Sequence, residues 1–230
     1  MHQKSQLAFY TAQMKDKIDN VLFDLDGTLT DPKEGIINSI LYALHKLGIK
    51  EDKIVELDSF IGPPLRESFM LRYNMSESLA DQAISFYREY FAAKGIFENI
   101  IYPGVTDLLE SLFNQKNHLF VATSKPTIFA EKIIRHFNLD KYFIEIAGSN
   151  LDNTRTNKSE IIAHLVSVHG LQASNSIMVG DRKHDIDGAK TNLMKSIGVT
   201  YGYGSLEELS LHKPDFIVNN CSELKSLFLK

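Results

Sequence analysis

The feature that most constrains the fold of this chain is a regular alternation of short apolar runs with longer amphipathic stretches. The apolar runs predict β-strands at Val21–Phe23, His118–Thr123, Phe143–Ala147, Ser176–Val179, Lys195–Val199 and Asp215–Val218. Between most of these strands, apolar residues recur at the three- and four-residue spacing of an α-helix. Strands that alternate with helices across short connections indicate a parallel sheet with helices on both faces. We therefore expect an α/β fold with a Rossmann-like parallel sheet core.

The stretch from Pro32 to Ile101 interrupts this alternation with several helical patterns and no convincing strand. The economical interpretation is an all-helical domain inserted just after the first strand. An insertion there would hang over the carboxyl edge of the sheet, where open α/β folds bind ligands, so we expect a lid. The predicted boundaries are an N-terminal extension at 1–18, an α/β core at 19–31 and 102–230, and a helical cap at 32–101.

Composition argues against several classes of partner. A formal net charge of −4 without a basic run gives no support to binding of nucleic acid or of a membrane surface. No stretch approaches the ~18–20 apolar residues of a membrane span, and the first residues lack the apolar core of a secretion signal. The single cysteine, Cys221, excludes an internal disulfide and fits a reducing cytoplasm. A monomer and a homodimer both remain open.

Two carboxylates follow the first predicted strand. Asp24 and Asp26 are two positions apart, and side chains at that spacing in a strand share one face. At about 4 Å and an effective dielectric constant near 20, two such charges repel by roughly 4 kcal/mol. The arrangement usually needs a cation or a proton, and either suggests catalysis. Because an Asp-Gly turn after a strand is common, the pair alone leaves a purely structural turn open.

Two later strands end in polar groups at the same predicted edge of the sheet. Thr123 and Ser124 follow one of them, where a hydroxyl and backbone N–H groups would form an anion site or a plain helix cap. Asp181 and Asp185 follow the other at a moderately specific spacing. Lys158 begins a predicted helix, where its charge opposes the helix dipole. A bound anion would explain that lysine, although a single lysine is usually a solvated surface charge.

The charges of these positions do not balance without a cation. The carboxylates named above would place up to four negative charges around one cleft, and a phosphate monoester would bring nearly two more. Lys158 offsets only one of them. Oxygen ligands with open positions suit Mg²⁺. Carboxylates, a hydroxyl, a lysine and Mg²⁺ together predict a phosphoryl-transfer site.

In this order, the polar positions resemble the motifs of the haloacid-dehalogenase-like phosphohydrolases, specifically the phosphoglycolate-phosphatase-like branch with a helical cap. The first motif is Asp24-Leu25-Asp26-Gly27-Thr28-Leu29-Thr30; Thr123 matches the second, Lys158 the third, and Gly180-Asp181 with Asp185 the fourth. The resemblance covers roughly residues 19 to 230. It implies the sheet core of this family with an inserted cap, and a small phosphorylated metabolite as partner.

The resemblance also implies catalytic and phosphate-binding roles. Asp24 would be the nucleophile that forms an aspartyl-phosphate, and Asp26 would be the general acid and then the general base. Thr123 and the backbone amide of Ser124 would hold phosphate oxygens. Lys158 would neutralise charge on the phosphate and the nucleophile.

The same resemblance implies the metal ligands. Mg²⁺ would be bound by Asp24, by the backbone carbonyl of Asp26 and by Asp181, with Asp185 helping directly or through water. The dehalogenases of the superfamily lack the second acid of the first motif, because a carbon–halogen bond needs no proton donor. Since Asp26 is present, we do not expect dehalogenation.

The cap would carry substrate choice. The segment Phe60–Phe69 looks like the cap loop of phosphoglycolate-phosphatase-like members, and within it Arg66 is either a grip for a distal substrate group or a solvated charge. Candidate substrates are phosphoglycolate, nucleoside 5′-monophosphates and inorganic pyrophosphate. A sugar phosphomutase similar to β-phosphoglucomutase and a catalytically inactive binding module are the alternatives.

Two further features lie beside the motifs. Lys125, Arg182 and His184 flank matched positions, and we expect them to be supporting or exposed. The segment Tyr201–Gly204 contains G-x-G without the continuation of a dinucleotide fingerprint. We therefore expect it to be a tight loop at a strand end near the site.

Overall fold

The computed structural model describes residues 17–151 and 154–229. The predicted N-terminal extension at 1–18 lies outside the described residues except for its last two positions. The chain divides into two compact units. Thr30–Ile100 form a helical unit, and the other described residues, up to Leu29 and from Ile101 onward, form an α/β unit.

The elements follow one another in the order that the alternation predicts. The first half of the chain contains β1 (Asn20–Phe23), β2 (Thr30–Asp31), α1 (Lys33–Lys46), α2 (Leu65–Tyr73), α3 (Glu77–Tyr90), β3 (Ile100–Ile101) and α4 (Val105–Asn114). The second half contains β4 (His118–Pro126), α5 (Thr127–His136), β5 (Phe143–Ser149), α6 (Lys158–His169), β6 (Ser176–Gly180), α7 (Lys183–Thr191), β7 (Lys195–Val199), α8 (Leu206–His212), β8 (Phe216–Val218) and α9 (Cys221–Phe228).

The α/β unit contains a parallel sheet with β1 near its centre. Among the described residues, six strands pair in the order β5-β4-β1-β6-β7-β8, and every pair is parallel. The predicted α/β class is therefore confirmed. Strand β1 is buried along its whole length, as expected for a strand covered on both faces.

The two faces of β1 explain why its sequence is continuously apolar. Leu22 lies in a cluster of buried side chains with Ile161 and Leu165 of α6. Val21 and Phe23 point to the opposite face, since side chains alternate along a strand, and both are fully buried. Burial of each such side chain contributes about 1.5–3 kcal/mol, so the sheet is held from both sides.

Parallel pairing brings the ends of three strands to one edge of the sheet. Phe23, the last residue of β1, is in register with Val121 of β4 and Val179 of β6. The polar residues that follow these positions in the sequence therefore start from neighbouring points. This register assembles the site.

The helical unit is built mainly on α1 and α3, which pack against each other. Helix α3 begins after Ser76, whose side chain accepts a hydrogen bond from the Leu79 N–H. Helix α2 and the 3₁₀ segment Ile54–Phe60 meet through the edge-to-face rings of Phe60 and Phe69. Helices dominate this stretch, as the sequence predicts.

The stretch from Pro32 to Ile101 does contain one short strand that the sequence pattern did not indicate. Strand β3 pairs with β2 as a separate two-stranded sheet. The two strands lie where the chain enters and leaves the helical unit. Each has only two residues, which is too short for the alternation that identifies a strand.

A membrane-spanning helix would have to be both long and strongly apolar. No helix within 17–151 and 154–229 meets both conditions.

Candidate active site

Asp24 lies directly beyond the buried strand β1. Its backbone N–H donates a hydrogen bond of 2.9 Å to the Val179 carbonyl of β6, which extends the strand pairing to this residue. The Asp24 side chain is buried with little exposure. A carboxylate in that position needs a positive partner, because an unpaired buried charge is costly.

Lys158 supplies that partner. It is the first residue of α6, which begins after Asn157, whose side chain accepts a hydrogen bond from the Ser159 N–H. The Lys158 ammonium lies 2.8 Å from Asp24 Oδ1 and donates a 2.9 Å hydrogen bond to the Ala122 carbonyl. Its side chain is only 4% exposed. The prediction of a site lysine at this position thus corresponds to a buried ion pair with Asp24, and a solvated surface charge is excluded.

Lys158 also contacts Asp185. The ammonium lies 2.7 Å from Asp185 Oδ1 as an ion pair. The other oxygen, Asp185 Oδ2, accepts a 3.0 Å hydrogen bond from the Arg182 N–H at the start of α7. Burial lowers the pKa of Lys158, but the carboxylates of Asp185 and Asp24 outweigh burial and raise it above its ordinary value.

Asp181 is fully buried directly after β6. Its Oδ1 accepts a hydrogen bond of 3.5 Å from the Thr28 hydroxyl, and its Oδ2 accepts one of 2.7 Å from the Tyr203 N–H. Burial raises the pKa of Asp181 to about 8, and the nearby Asp185 and Asp24 add to the rise. Burial likewise raises the pKa of Asp185 to about 6, against the opposing charge of Lys158.

Three of these carboxylates form a cluster that fits a metal ion. Asp24, Asp181 and Asp185 each offer one oxygen, and the three oxygens lie within 4.8 Å of one another. All three residues are buried. The raised proton affinity of Asp181 and Asp185 has the same cause as an affinity for a cation, because either species relieves the repulsion among buried carboxylates. Hard oxygen ligands of this kind suit Mg²⁺.

Asp26 pairs with a second lysine. Asp26 Oδ2 lies 2.7 Å from the ammonium of Lys125, whose side chain is 6% exposed. The other oxygen, Asp26 Oδ1, is buried and has no hydrogen-bond partner among the described residues. Burial raises the pKa of Asp26, and Lys125 opposes that rise. The sequence placed Lys125 among supporting or exposed residues, and the structure shows that its side chain is buried.

The second motif lies at the end of β4, beside β1. Thr123 is buried, and its hydroxyl accepts a 3.2 Å hydrogen bond from the Lys125 N–H. Ser124 is half-buried, and its carbonyl accepts a 2.9 Å hydrogen bond from the Ser149 hydroxyl. The structure therefore places both residues at the expected edge of the sheet.

Arg66 lies in the helical unit, at the start of α2. Its guanidinium is 2.5 Å from Asp81 and 3.9 Å from Glu77, both on α3. The side chain is 41% exposed. The geometry ties Arg66 to α3, and its role in holding substrate stays a prediction.

The Tyr201–Gly204 loop is a part of the site whose function sequence reasoning did not identify. The Tyr201 hydroxyl donates a 3.0 Å hydrogen bond to the Thr28 carbonyl. A Cβ atom at Gly202 would overlap both the Gly27 carbonyl and the side chain of Asp181. Only glycine permits this approach. The G-x-G pattern was the sequence signal that could have identified this loop. Its Gly202 packs closely against Gly27 of the first motif and Asp181 of the fourth.

Comparison with known proteins agrees with this architecture. The family model for haloacid dehalogenase-like hydrolases matches residues 21–199. A 5′-nucleotidase of Pseudomonas aeruginosa is 49% identical over 208 residues, which are 90% of this chain and 93% of that protein. A phosphoglycolate phosphatase of Vibrio parahaemolyticus is 30% identical over 212 residues, with 89% and 93% covered.

Solved structures show the same relationship. A crystal structure described as a predicted phosphatase from Clostridium acetobutylicum superimposes with a TM-score of 0.88 at 47% identity, covering 91% of this chain and 97% of that one. The chain belongs to the haloacid dehalogenase-like hydrolases. Within that family it is a phosphatase, similar to the phosphoglycolate-phosphatase-like branch. The family that the motifs suggest is thus confirmed.

Proposed function

We propose that this phosphatase is Mg²⁺-dependent and transfers the phosphoryl group of a small monoester first to Asp24 and then to water. The observation that carries the proposal is the environment of Asp24. This carboxylate is paired with Lys158 at 2.8 Å and belongs to a buried cluster with Asp181 and Asp185. Such a site is built to accept a highly charged anion beside a nucleophile.

The residues present fit a bound Mg²⁺ ion. Asp24, Asp181 and Asp185 would hold it through carboxylate oxygens, and the family resemblance adds the backbone carbonyl of Asp26. When bound, Mg²⁺ supplies positive charge that reduces the repulsion between the phosphate and the carboxylate nucleophile. Asp185 would help to hold the ion directly or through water, and Mg²⁺ titration of Asp185→Asn would measure its contribution to affinity.

The first half-reaction would transfer the phosphoryl group to the enzyme. An Asp24 oxygen attacks phosphorus while the bond from phosphorus to the leaving oxygen breaks. Asp26 donates its proton to that oxygen, so the product leaves as a neutral alcohol. Thr123 and the Ser124 amide would hold the phosphoryl oxygens, and Lys158 would balance their charge.

The second half-reaction would release phosphate. Asp26, now a carboxylate, takes a proton from a water molecule whose oxygen attacks phosphorus. The bond between phosphorus and the Asp24 oxygen breaks, which restores the carboxylate and frees inorganic phosphate. Asp26 is again protonated, so the cycle closes without another acid or base.

We propose nucleoside 5′-monophosphates as the leading substrate class. The 49% identity to a 5′-nucleotidase across nearly the whole chain supports this choice over phosphoglycolate, for which the relative is 30% identical. Inorganic pyrophosphate is the third candidate.

Arg66 is the proposed contact for a distal substrate group, and the helical unit is the proposed cap. The single buried cysteine, Cys221, supports a cytoplasmic location.

A substrate panel tests the proposal. Nucleoside 5′-monophosphates, phosphoglycolate, pyrophosphate and a hexose 1-phosphate would be incubated with Mg²⁺ and, separately, with a chelator. We expect phosphate release from the monoesters with Mg²⁺ and its loss with chelator. Asp24→Asn should abolish release, whereas Asp140→Asn, at an exposed residue remote in sequence from all motifs, should not.

Other outcomes of the panel would overturn the proposal. An isomerised sugar from the hexose 1-phosphate would indicate a mutase. No turnover of any compound would indicate a binding module. Equal release by wild type and Asp24→Asn would show that the nucleophile is wrong or that the activity belongs to a contaminant.

A further inference from the structure

Lys125 occupies an unusual environment for a lysine. Its side chain is 6% exposed, and its ammonium lies 2.7 Å from Asp26 Oδ2. Burying a lysine is costly unless a charged partner compensates. The neighbouring Lys158 already serves Asp24 and Asp185. Each lysine therefore pairs with different carboxylates: Lys158 with Asp24 and Asp185, and Lys125 with Asp26.

The backbone around Lys125 is irregular, and its side chain reaches Asp26. The pairing register of β4 with β5 shifts between Ala122 and Pro126, so this end of the strand departs from the regular pleat. The Thr123 hydroxyl accepts a 3.2 Å hydrogen bond from the Lys125 N–H. A residue of the second motif thus fixes the backbone that carries Lys125.

The two oxygens of Asp26 are in different states. Oδ2 is held by Lys125, whereas Oδ1 is buried and has no hydrogen-bond partner among the described residues. A buried carboxyl oxygen without a partner is costly and is available to exchange a proton. Without Lys125, the carboxyl group could rotate and exchange the positions of its two oxygens.

We propose that Lys125 is a positioning residue that fixes one oxygen of Asp26 and leaves the other to exchange protons with substrate and water. This inference rests on the proposed role of Asp26 in the phosphatase reaction. Lys125 acts through Asp26 and makes no contact with the substrate. Its loss should therefore slow the reaction most when a proton must be donated to the leaving oxygen.

The leaving group provides the test. An alkyl phosphate that the wild type hydrolyses releases a poor leaving group that needs a proton, whereas p-nitrophenyl phosphate releases one that does not. Comparison of kcat/KM isolates the first half-reaction, because this ratio covers steps up to the first irreversible one. Lys125→Met, Lys125→Arg, Asp26→Asn and the double variant of Lys125→Met with Asp26→Asn would be compared with wild type.

We expect Lys125→Met to lose at least about tenfold more kcat/KM on the alkyl phosphate than on p-nitrophenyl phosphate, as general-acid contributions of this size predict. Asp26→Asn should show the same bias. In the Asp26→Asn background, Lys125→Met should change kcat/KM by less than about twofold, because residues that act through one another are not additive. Lys125→Arg should recover part of the alkyl phosphate activity.

Several outcomes would refute the role of Lys125. Equal losses of kcat/KM on both substrates would indicate a residue that is merely structural or that binds the substrate directly. Additive losses in the double variant would separate Lys125 from Asp26. If thermal melting shows that Lys125→Met does not fold, Lys125→Gln, which also lacks the ammonium, takes its place in the comparison. Lys132→Met, at an exposed lysine of α5, is the control and should match wild type.

Failure of the underlying mechanism gives a different pattern. If Asp26→Asn shows no bias between the two substrates, Asp26 is not the proton donor, and both proposals fail together. If Asp26→Asn shows the bias and Lys125→Met does not, only the positioning role is refuted.

Discussion

The ammonium nitrogen of Lys158 lies 2.8 Å from Asp24 Oδ1 inside the α/β unit, with both side chains almost wholly buried. The two residues are far apart in the sequence and come from different elements, the end of β1 and the start of α6. A buried charge pair of this kind is expensive to assemble and more expensive to break. The pair lies beside two further buried carboxylates, Asp181 and Asp185. Such a cluster of buried charges indicates a functional site rather than a stabilising interaction.

Replacement of Lys158 by methionine should reduce both activity and stability. We expect kcat/KM to fall by about 10²–10³-fold, because the proposed mechanism would lose one fixed charge that stabilises its transition state. In chelator, the free energy of unfolding should fall by about 3–5 kcal/mol, because Asp24 and Asp185 are left without their cation. Enzyme assays and urea unfolding measure the two effects. Lys132→Met is the control, and an unchanged unfolding energy for Lys158→Met would contradict the buried pair.

Metal-free protein should lose stability as the pH rises. The pKa of Asp181 is about 8 in the folded protein against an ordinary 3.8, so between these values the folded state binds more protons than the unfolded state. The free energy of unfolding therefore falls as the pH rises through this range. The stabilisation that protonated Asp181 contributes is fully present only below about pH 4. Asp185, raised to about 6, adds to the fall at the lower end of the window.

Mg²⁺ should reverse this trend, because binding requires the deprotonated carboxylates. The difference in Tm between protein in excess Mg²⁺ and protein in chelator should grow from pH 6 to pH 8. Thermal melts across this range measure it. Asp181→Asn should flatten the pH dependence. A Tm difference that stays constant from pH 6 to pH 8 would show that Asp181 does not take part.

Gly202→Ala should weaken metal binding. An added Cβ would overlap the Gly27 carbonyl and the Asp181 side chain, so Asp181 would be displaced from the carboxylate cluster. We expect affinity for Mg²⁺ to fall by about 10–100-fold, as is typical when the groups that orient a metal ligand are disturbed. Titration calorimetry with Mg²⁺ measures this directly.

The matched control is Gly198→Ala in β7. The nearest contacts of its added Cβ are side-chain carbons of Leu209 at 3.3 Å, which a small shift of the leucine relieves. This variant should bind Mg²⁺ as the wild type does. Equal affinities for Gly202→Ala and wild type would show that the loop does not hold Asp181.

Glu51→Gln should destabilise the helical unit under neutral conditions. Glu51 accepts hydrogen bonds from the Arg72 guanidinium at 2.9 Å and from the Tyr73 hydroxyl at 2.5 Å. We expect a loss of about 1.5–3 kcal/mol, the usual worth of hydrogen bonds to a charged group. Urea unfolding at pH 7 measures this change, with Asp52→Asn, at a largely exposed residue, as control.

The same glutamate predicts an acid-labile contribution. Hydrogen bonds from Arg72, then from Tyr73, lower the pKa of Glu51 to about 2 from an ordinary 4.5. Its stabilisation is therefore complete above about pH 4.5 and is lost as the pH falls toward 2. Between pH 5 and pH 3, wild type should lose more unfolding free energy than Glu51→Gln. Parallel losses in the two proteins would contradict the assignment.

Much of the fold could be predicted because its signals are local and periodic. The predicted strands correspond to the strands of the sheet, and apolar stripes such as that of Ile161 and Leu165 lie on helices that cover it. The short strand β3 escaped prediction, because two residues cannot show a period. Three of the four motifs could be expected to lie close together, because each follows a strand of one parallel sheet and the carboxyl ends of such strands share an edge.

The burial of the Lys125 side chain and the packing of the Tyr201–Gly204 loop could not be predicted in the same way. A lysine side chain is exposed in most proteins, and only the packing around Asp26 shows that this one is buried. Likewise, a G-x-G pattern reports freedom of the backbone but does not say which group approaches it. The approach of Gly202 to Gly27 joins residues that are remote in the sequence.

By itself, the sequence determined the α/β class and the family, because periodicity and motif residues are properties of short segments. Only the tertiary structure decided which charges pair: Lys158 with Asp24 and Asp185, and Lys125 with Asp26. The physical reason is that ion pairing depends on distance and burial. Both are set by parallel strand register and by the packing of helices on the sheet, which no single segment encodes.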